Sequence, residues 1–285
     1  MQVIDTVEGW RKTLDTERAA GRTVGLVPTM GALHPGHASL IARASADCDV
    51  VGVTVFVNPL QFGANEDLSA YPRSLDADVA LAATHGATYL FAPSVATMYP
   101  RPMVTAVRVS ELSARWEGTS RPTHFEGVAT VVTKLFAQAG AVRAYFGEKD
   151  YQQLCIVRRL VADLDLPVEV VGCPTVREHD GLALSSRNVY LSPPERAAAP
   201  SLHRALCAGA AILVGGGTAA EARVAMGDVL AEINGVPFEL AYAEVVDPDS
   251  LEPLVGALDV GGTARLLIAA RLGRTRLIDN VGVIV

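Results

Sequence analysis

The apolar positions of this chain change period along its length. Val24–Val27 and Val50–Val57 are almost unbroken apolar runs, the second rich in valine, as expected of parallel strands buried on both faces. Thr88–Phe91, Ala141–Phe146 and Val168–Cys173 read as further strands, and the weak alternation of Val104–Val109 as another. Stretches with helical spacing lie between them. Asp5 with Glu8 predicts a capping box for a first helix ending near Gly21. Further helices are predicted from Pro35 to about Asp47, and over Arg73–His85, Val128–Ala139 and Tyr151–Leu164. Residues 112 to 124 are irregular. Strands alternating with helices of this length predict an α/β fold with a mostly parallel, doubly wound sheet.

After Pro174 the pattern changes. Thr175–Arg187 is a polar connection, and Asn188–Leu191 leads into Pro193 and Pro194, which open a helix expected to reach about Leu213. Gly215, Gly216 and Gly217 mark a break before a helix over Ala219–Gly235. Strand candidates follow at Glu239–Val246, Ala264–Arg271 and Thr275–Asn280. The expectation is a domain of residues 1–175 and a smaller α+β domain of residues 176–285.

Composition narrows the function classes. The 285 residues are half apolar and carry a formal net charge of −7 without a basic block, so nucleic acid is not expected as a partner. Every long apolar run is broken by Arg, Asp or Gly, so no membrane span is expected. Asp5, Glu8, Arg11 and Lys12 fit an amphipathic pattern, not a signal peptide. Cys48, Cys155, Cys173 and Cys207 are widely spaced and are expected to be buried free thiols of a cytoplasmic protein.

Candidate chemistry gathers at predicted strand ends. The strand at Val24 runs into Pro28-Thr-Met30-Gly, and the chain restarts at His34-Pro-Gly-His37. With Pro35 at the first helical position, His34 is the N-cap and His37 lies at N3, beside unpaired backbone N–H groups at the positive helix end. Such an entry can hold a phosphate; a loop with two surface histidines fits the same residues. Asn58 and Gln61 follow the next strand, where a doubly wound sheet binds ligands. Gly147, Glu148, Lys149, Asp150 and Gln153 follow a later one. Asp150 with Gln153 could form a capping box, or Lys149 could meet a phosphate as a flexible point charge. Ser185-Ser186-Arg187-Asn188 fits either a solvated loop or a set of phosphate donors. Residues 63 to 71, with Glu66 and Asp67, read as a mobile loop. A Gly-x-Gly-x-x-Gly fingerprint, a Walker lysine, zinc spacing and a Gly-x-Ser-x-Gly elbow are all missing from the sequence, which disfavours nicotinamide, kinase-type and zinc chemistry.

Five blocks in order carry a resemblance. They are Pro28-Thr-Met-Gly-Ala-Leu-His-Pro-Gly-His37, Phe56-Val-Asn-Pro-Leu-Gln-Phe-Gly63, Arg121-Pro-Thr-His-Phe-Glu-Gly127, Tyr145-Phe-Gly-Glu-Lys-Asp-Tyr-Gln-Gln153, and Pro174-Thr-Val-Arg-Glu-His-Asp-Gly-Leu-Ala-Leu-Ser-Ser-Arg-Asn188. Across residues 24 to 196 the chain resembles the pantoate–β-alanine ligase family. The resemblance implies a Rossmann-like sheet of the nucleotidyltransferase type, with the second domain closing over ATP. It also implies an ATP- and Mg2+-dependent condensation of pantoate with β-alanine to pantothenate, through a pantoyl adenylate, in vitamin B5 and coenzyme A biosynthesis.

The roles the resemblance implies are these. His34, His37, Lys149 and Arg187 serve adenylation. Met30, Gly147, Asp150, Val176, Ser185 and Ser186 join them around the nucleotide, Asp150 at the nucleotide end or on Mg2+. Gln61 and Gln153 grip pantoate, with Met30 packing on the bound substrate and Asn58 helping β-alanine or the loop. No protein cage for a metal is implied. Segment 63–71 would be a lid that shields the adenylate from water, and the family is commonly homodimeric. Another nucleotidyltransferase-type enzyme, passing AMP or CMP to a small acid or phosphate, is the nearest alternative. A non-catalytic nucleotide-binding module is a more distant one.

Overall fold

The computed structural model describes residues 1–63, 68, 71 and 73–285. The lid expected at residues 63 to 71, with Glu66 and Asp67, therefore lies largely outside the described residues. The chain divides into two units, Met1–Glu148 with Gln152–Pro174, and Lys149–Tyr151 with Thr175–Val285.

In the first unit the elements run β1 (Gln2–Ile4), α1 (Val7–Ala19), β2 (Val24–Thr29), α2 (Pro35–Asp47), β3 (Val50–Val55), α3 (Leu75–Thr84), β4 (Tyr89–Phe91), α4 (Val95–Met98), α5 (Glu117–Ser120), α6 (His124–Ala139), β5 (Val142–Gly147), α7 (Tyr151–Asp163) and β6 (Val168–Cys173). Six strands form a sheet of order β1-β4-β3-β2-β5-β6, and every pair in it is parallel. Val24 pairs with Val50, and Gly25 with Arg143. Leu40, Ile41 and Ala44 of α2 cover Val27, Val51, Val53 and Tyr145 on one face. Strand alternation turns Gly52 to the other face, under Trp10 of α1, which also stacks on Phe91 with ring centroids 5.1 Å apart. Each fully buried side chain of this size contributes about 1.5–3 kcal/mol. From β2 the chain winds one way to β3 and β4, then returns to place β5 on the opposite side of β2. The carboxyl ends of β2 and β5 thus form the switch point at which such sheets bind ligands.

The second unit contains α8 (Pro193–Ala198), α9 (Ser201–Val214), α10 (Ala219–Ala231), β7 (Phe238–Val246), β8 (Thr263–Leu272) and β9 (Thr275–Ile284). The strands form an antiparallel sheet of order β7-β8-β9. Leu202, Leu206 and Leu213 of α9 and Ala222, Met226 and Leu230 of α10 join Leu266, Ile268, Ala270 and Leu277 in one core. Among the described residues, only Pro193–Val214 is long and apolar enough to cross a membrane, and Leu202, Leu206 and Leu213 within it belong to this core.

Several sequence expectations are corrected. Thr6, not Asp5, caps α1, because its hydroxyl accepts the Gly9 N–H at 3.2 Å. β1 escaped detection because three residues are too few to show a period. Val104–Val109 forms no strand: Val104 is fully exposed, and the Val107 N–H donates instead to Thr130 Oγ1 at 2.9 Å. α6 begins at His124, four residues before the apolar run. Asp150 belongs to a 3-10 turn, Glu148–Asp150, that leads straight into α7, so it holds no extended N-cap position. The helix expected from Pro193 to Leu213 is two helices, since Pro200 has no N–H to continue the first. All four cysteines are free, but Cys207 is exposed and Cys48 half-buried.

Candidate active site

The turn after β2 is built around a buried carboxylate. Thr29 Oγ1 donates to Thr54 O at 2.6 Å and accepts the Gly31 N–H at 3.1 Å. Gly31 and Ala32 then take left-handed conformations, with φ of +85° and +51°. Asp78, in the first turn of α3 and 3% exposed, accepts the N–H of Ala32 at 3.1 Å and of Leu33 at 2.7 Å. His34 follows as the N-cap of α2, with Pro35 at N1. Its Nδ1 accepts the Gly36 N–H at 3.1 Å, and His37 Nδ1 accepts the His34 N–H at 3.3 Å. The two rings lie 4.1 Å apart, centroid to centroid. A ring nitrogen that accepts a backbone N–H carries no proton, so this network assigns both imidazoles the tautomer with hydrogen on Nε2. Each ring then has one N–H donor, at Nε2.

The second cluster organises Gln61. Asn58 caps the 3-10 turn Pro59–Gln61 after β3 and is 1% exposed. Its amide donates to Gln61 Oε1 and to Gly127 O, both at 3.1 Å. Its oxygen accepts from Tyr99 Oη at 2.8 Å and from the Leu60 N–H at 3.2 Å. All four hydrogen-bonding capacities of Asn58 are thus taken by protein, and one of them holds the Gln61 carboxamide. Gln61 Nε2 donates to Met30 Sδ, which ties this cluster to the histidine turn. His124 Nδ1 donates to Gln61 O at 2.9 Å. A Cβ on Gly127 would lie 2.3 Å from Leu60 O, so only glycine lets α6 approach the turn so closely. Burial pushes the Tyr99 hydroxyl up to about 12, keeping it a donor at neutral pH.

Gly147 ends β5, and a Cβ there would meet open space. Gln153 is half-buried on α7. Its neighbour Gln152 is buried, donates to Leu112 O and Arg115 O at 2.8 Å, and accepts the Glu117 N–H at 3.1 Å.

In the second unit Lys149, Ser185, Arg187, Asn188 and Arg276 line a single cavity. Lys149 Nζ lies 3.8 Å from Asp150 Oδ1, and Lys149 O accepts from Asn280 Nδ2 at 2.9 Å. Tyr151 is held by the Arg265 guanidinium over its ring at 3.9 Å and by Pro248 O, which accepts its hydroxyl at 3.1 Å. Val176 O accepts the Leu184 N–H at 2.9 Å, closing a hairpin that presents Ser185, whose Oγ accepts the Arg187 N–H at 3.2 Å. A bidentate pair pins that hairpin to β9: Arg177 donates to Asp279 at 2.6 and 2.9 Å. Burial and the Arg177 cation hold the His203 imidazole below its usual range, although Asp279 lies 3.9 Å away. Ser186, Asp150 and Val176 stand outside the cavity lining.

Sequence reading missed Asp78, Tyr99, His124 and Arg276. His124 lies inside one of the five blocks and could have been singled out. The others stand far along the chain from the groups they serve.

Comparison with known proteins bears on the family and the fold. The model of the family described as pantoate-beta-alanine ligase matches residues 2–282. A protein of Rhizorhabdus wittichii named pantothenate synthetase is 54% identical over 284 residues, covering 99% of both chains. A solved pantothenate synthetase of Thermus thermophilus has a TM-score of 0.92 at 50% identity, covering 99% of each chain. A pantoate-beta-alanine ligase of Francisella tularensis, solved with beta-gamma ATP and beta-alanine, has a TM-score of 0.79 at 32% identity, covering 99% of this chain and 97% of that one. A family model spanning almost the whole length, relatives above half identity, and a shared fold together place this chain in the pantoate–beta-alanine ligase family.

Proposed function

We propose that this protein condenses pantoate with β-alanine to pantothenate at the expense of ATP, through a pantoyl adenylate. The pantoate carboxylate attacks the α-phosphorus and pyrophosphate leaves. The β-alanine amine then attacks the acyl carbon and releases AMP. A carboxylate is a poor electrophile at neutral pH, and adenylation supplies the leaving group. The single observation that carries this reading is the paired Nε2–H donors of His34 and His37 at the sheet's switch point. Neutral donors at a positive helix end suit phosphate oxygens whose charge grows in the transition state.

Gln61 is the group best placed to orient pantoate, since its carboxamide is held from Asn58 and Met30. Met30 packs on the substrate, and Gln153 serves the same substrate from α7. Gly147 leaves room for the nucleotide beside β5. In the second unit, Lys149, Arg187 and Ser185 offer ammonium, guanidinium and hydroxyl donors to a polyphosphate, with Ser186, Asp150 and the Val176 backbone in supporting roles on the nucleotide. ATP would enter as its Mg2+ complex, in which the ion would offset negative charge on the phosphates. Among the described residues no group of three or more His, Cys, Asp or Glu side chains is arranged to hold a metal ion. A homodimer in the cytoplasm completes the reading, and the free cysteines fit a reducing compartment.

Pantoate-dependent ATP–pyrophosphate exchange tests this. With Mg2+, exchange should require pantoate and proceed without β-alanine; its absence sinks the ligase reading. His34→Ala and Lys149→Ala should stay folded and lose at least about tenfold in exchange rate, or about 1.4 kcal/mol. Ring-nitrogen NMR gives a second check. Imidazoles titrating well above the free value of about 6.5 would contradict the neutral-donor assignment.

A further inference from the structure

We propose that Asp78 is a positioning residue for adenylation: by holding the amides of Ala32 and Leu33, its carboxylate sets the left-handed turn from which His34 and His37 are presented. The proposal rests on the reading of the two histidines given above.

Four observations carry it. First, the turn is costly on its own. Ala32 has a φ of +51°, and a non-glycine residue holds that strained region only where its surroundings impose the conformation. Second, the surroundings that impose it are identifiable. Successive backbone N–H groups in such a turn converge into a cradle for an anion, and the Asp78 oxygens occupy it at 3.1 and 2.7 Å. Third, the carboxylate lies flush against the turn. A Cβ on Gly31 would stand 2.9 Å from Asp78 Oδ2. The Asp78 side chain is 3% exposed and sits in the first turn of α3, where the helix dipole favours negative charge. Fourth, His34 is the residue after Leu33. Its extended backbone, φ −135° and ψ 175°, starts where the turn releases the chain. The direction of both imidazoles therefore follows from the orientation of the 32–33 peptide groups.

Asparagine is nearly isosteric with aspartate but offers one acceptor oxygen and one NH2 donor. In Asp78→Asn one backbone N–H keeps a partner and the other faces a donor. Gly31→Ala crowds the same carboxylate from the opposite side and leaves the charge in place, while also meeting Val55 Cγ1 at 3.0 Å and straining a φ of +85°. The test measures pantoate-dependent ATP–pyrophosphate exchange for each variant, alone and combined with His34→Ala, with kcat and the KM for pantoate separated and folding checked by circular dichroism.

The proposal expects each single variant to lose about 10- to 100-fold in kcat, the scale of an ångström-level misplacement, with the KM for pantoate within about twofold of wild type. In the His34→Ala background the further loss should shrink to under about threefold, because the positioned group is already gone. A wild-type kcat in both single variants overturns the proposal. So does a loss of the same factor in both backgrounds, which is the mark of a merely structural residue. Should Asp78→Asn not fold, Gly31→Ala decides by the same criteria. A wild-type rate in His34→Ala alone would overturn the underlying reading of the histidines.

Discussion

Replacing Gly127 with alanine should displace Gln61 and weaken the use of pantoate. A Cβ at position 127 would lie 2.3 Å from Leu60 O, 2.5 Å from Leu60 C and 2.7 Å from Gln61 Cα. All three are backbone atoms, so no side-chain rotation relieves the clash. An ordinary contact begins near 3.4 Å, which requires the 3-10 turn Pro59–Gln61 to retreat from α6 by about 1 Å. The retreat also strains the bond from Asn58 Nδ2 to Gly127 O and the bond from His124 Nδ1 to Gln61 O. Overpacking of this kind costs about 1–3 kcal/mol. Alanine recovers up to about 1 kcal/mol within a helix, so the net loss should be roughly 0–2 kcal/mol and the protein should remain folded. A shift of about 1 Å in a group that orients substrate can cost up to about 100-fold in rate. Exchange kinetics would show it as reduced kcat/KM for pantoate, while the KM for ATP stays close to wild type. A wild-type kcat/KM for pantoate, in a variant whose melting temperature also matches wild type, would refute the packing argument. Wild-type catalysis with a lowered melting temperature would refute the substrate role of Gln61 instead.

Arg177→Ala should destabilise the protein by about 3–5 kcal/mol, because it strands the 4% exposed Asp279 carboxylate; adding Asp279→Asn should recover part of the loss in denaturant titrations, and a single-variant loss below about 1 kcal/mol contradicts the pairing. Alkaline titration has a defined window. Tyr99 titrates near 10 when unfolded and at about 12 in the fold, so the stability it contributes is complete below pH 10 and disappears as pH rises to 12. Tyr99→Phe should remove that part of the alkaline slope, and an unchanged slope argues against the buried hydroxyl. Under native conditions a thiol reagent should modify Cys207 first and leave Cys155 and Cys173 unreacted until unfolding; mass spectrometry showing an early Cys155 or Cys173 adduct would conflict with their burial.

The sequence by itself determined whatever is encoded within a few residues. The unbroken apolar runs at 24–27 and 50–57 became the two central parallel strands, since a strand covered on both faces leaves no room for polar alternation. Pro35 after His34 was enough to set the N-cap, because proline suits the one helical turn that needs no N–H. The order of the five blocks was enough to reveal the family. Short-range signals failed where competing partners were equally close, as with Thr6 against Asp5, or where a single Pro200 broke a good helical pattern. Tertiary structure alone decided which distant residues hold the candidate site in place. Asp78 reaches back 45 and 46 residues to the histidine turn, Tyr99 reaches 41 to Asn58, and His124 reaches 63 to Gln61. Arg276 joins Lys149 and Arg187 in one cavity only because β9 lies beside the hairpin that leads to Arg187 and, through Asn280, beside Lys149 in the folded second unit. No periodicity announces such contacts. They arise when buried backbone and amide groups must find hydrogen-bond partners, and the fold determines which side chains come within reach.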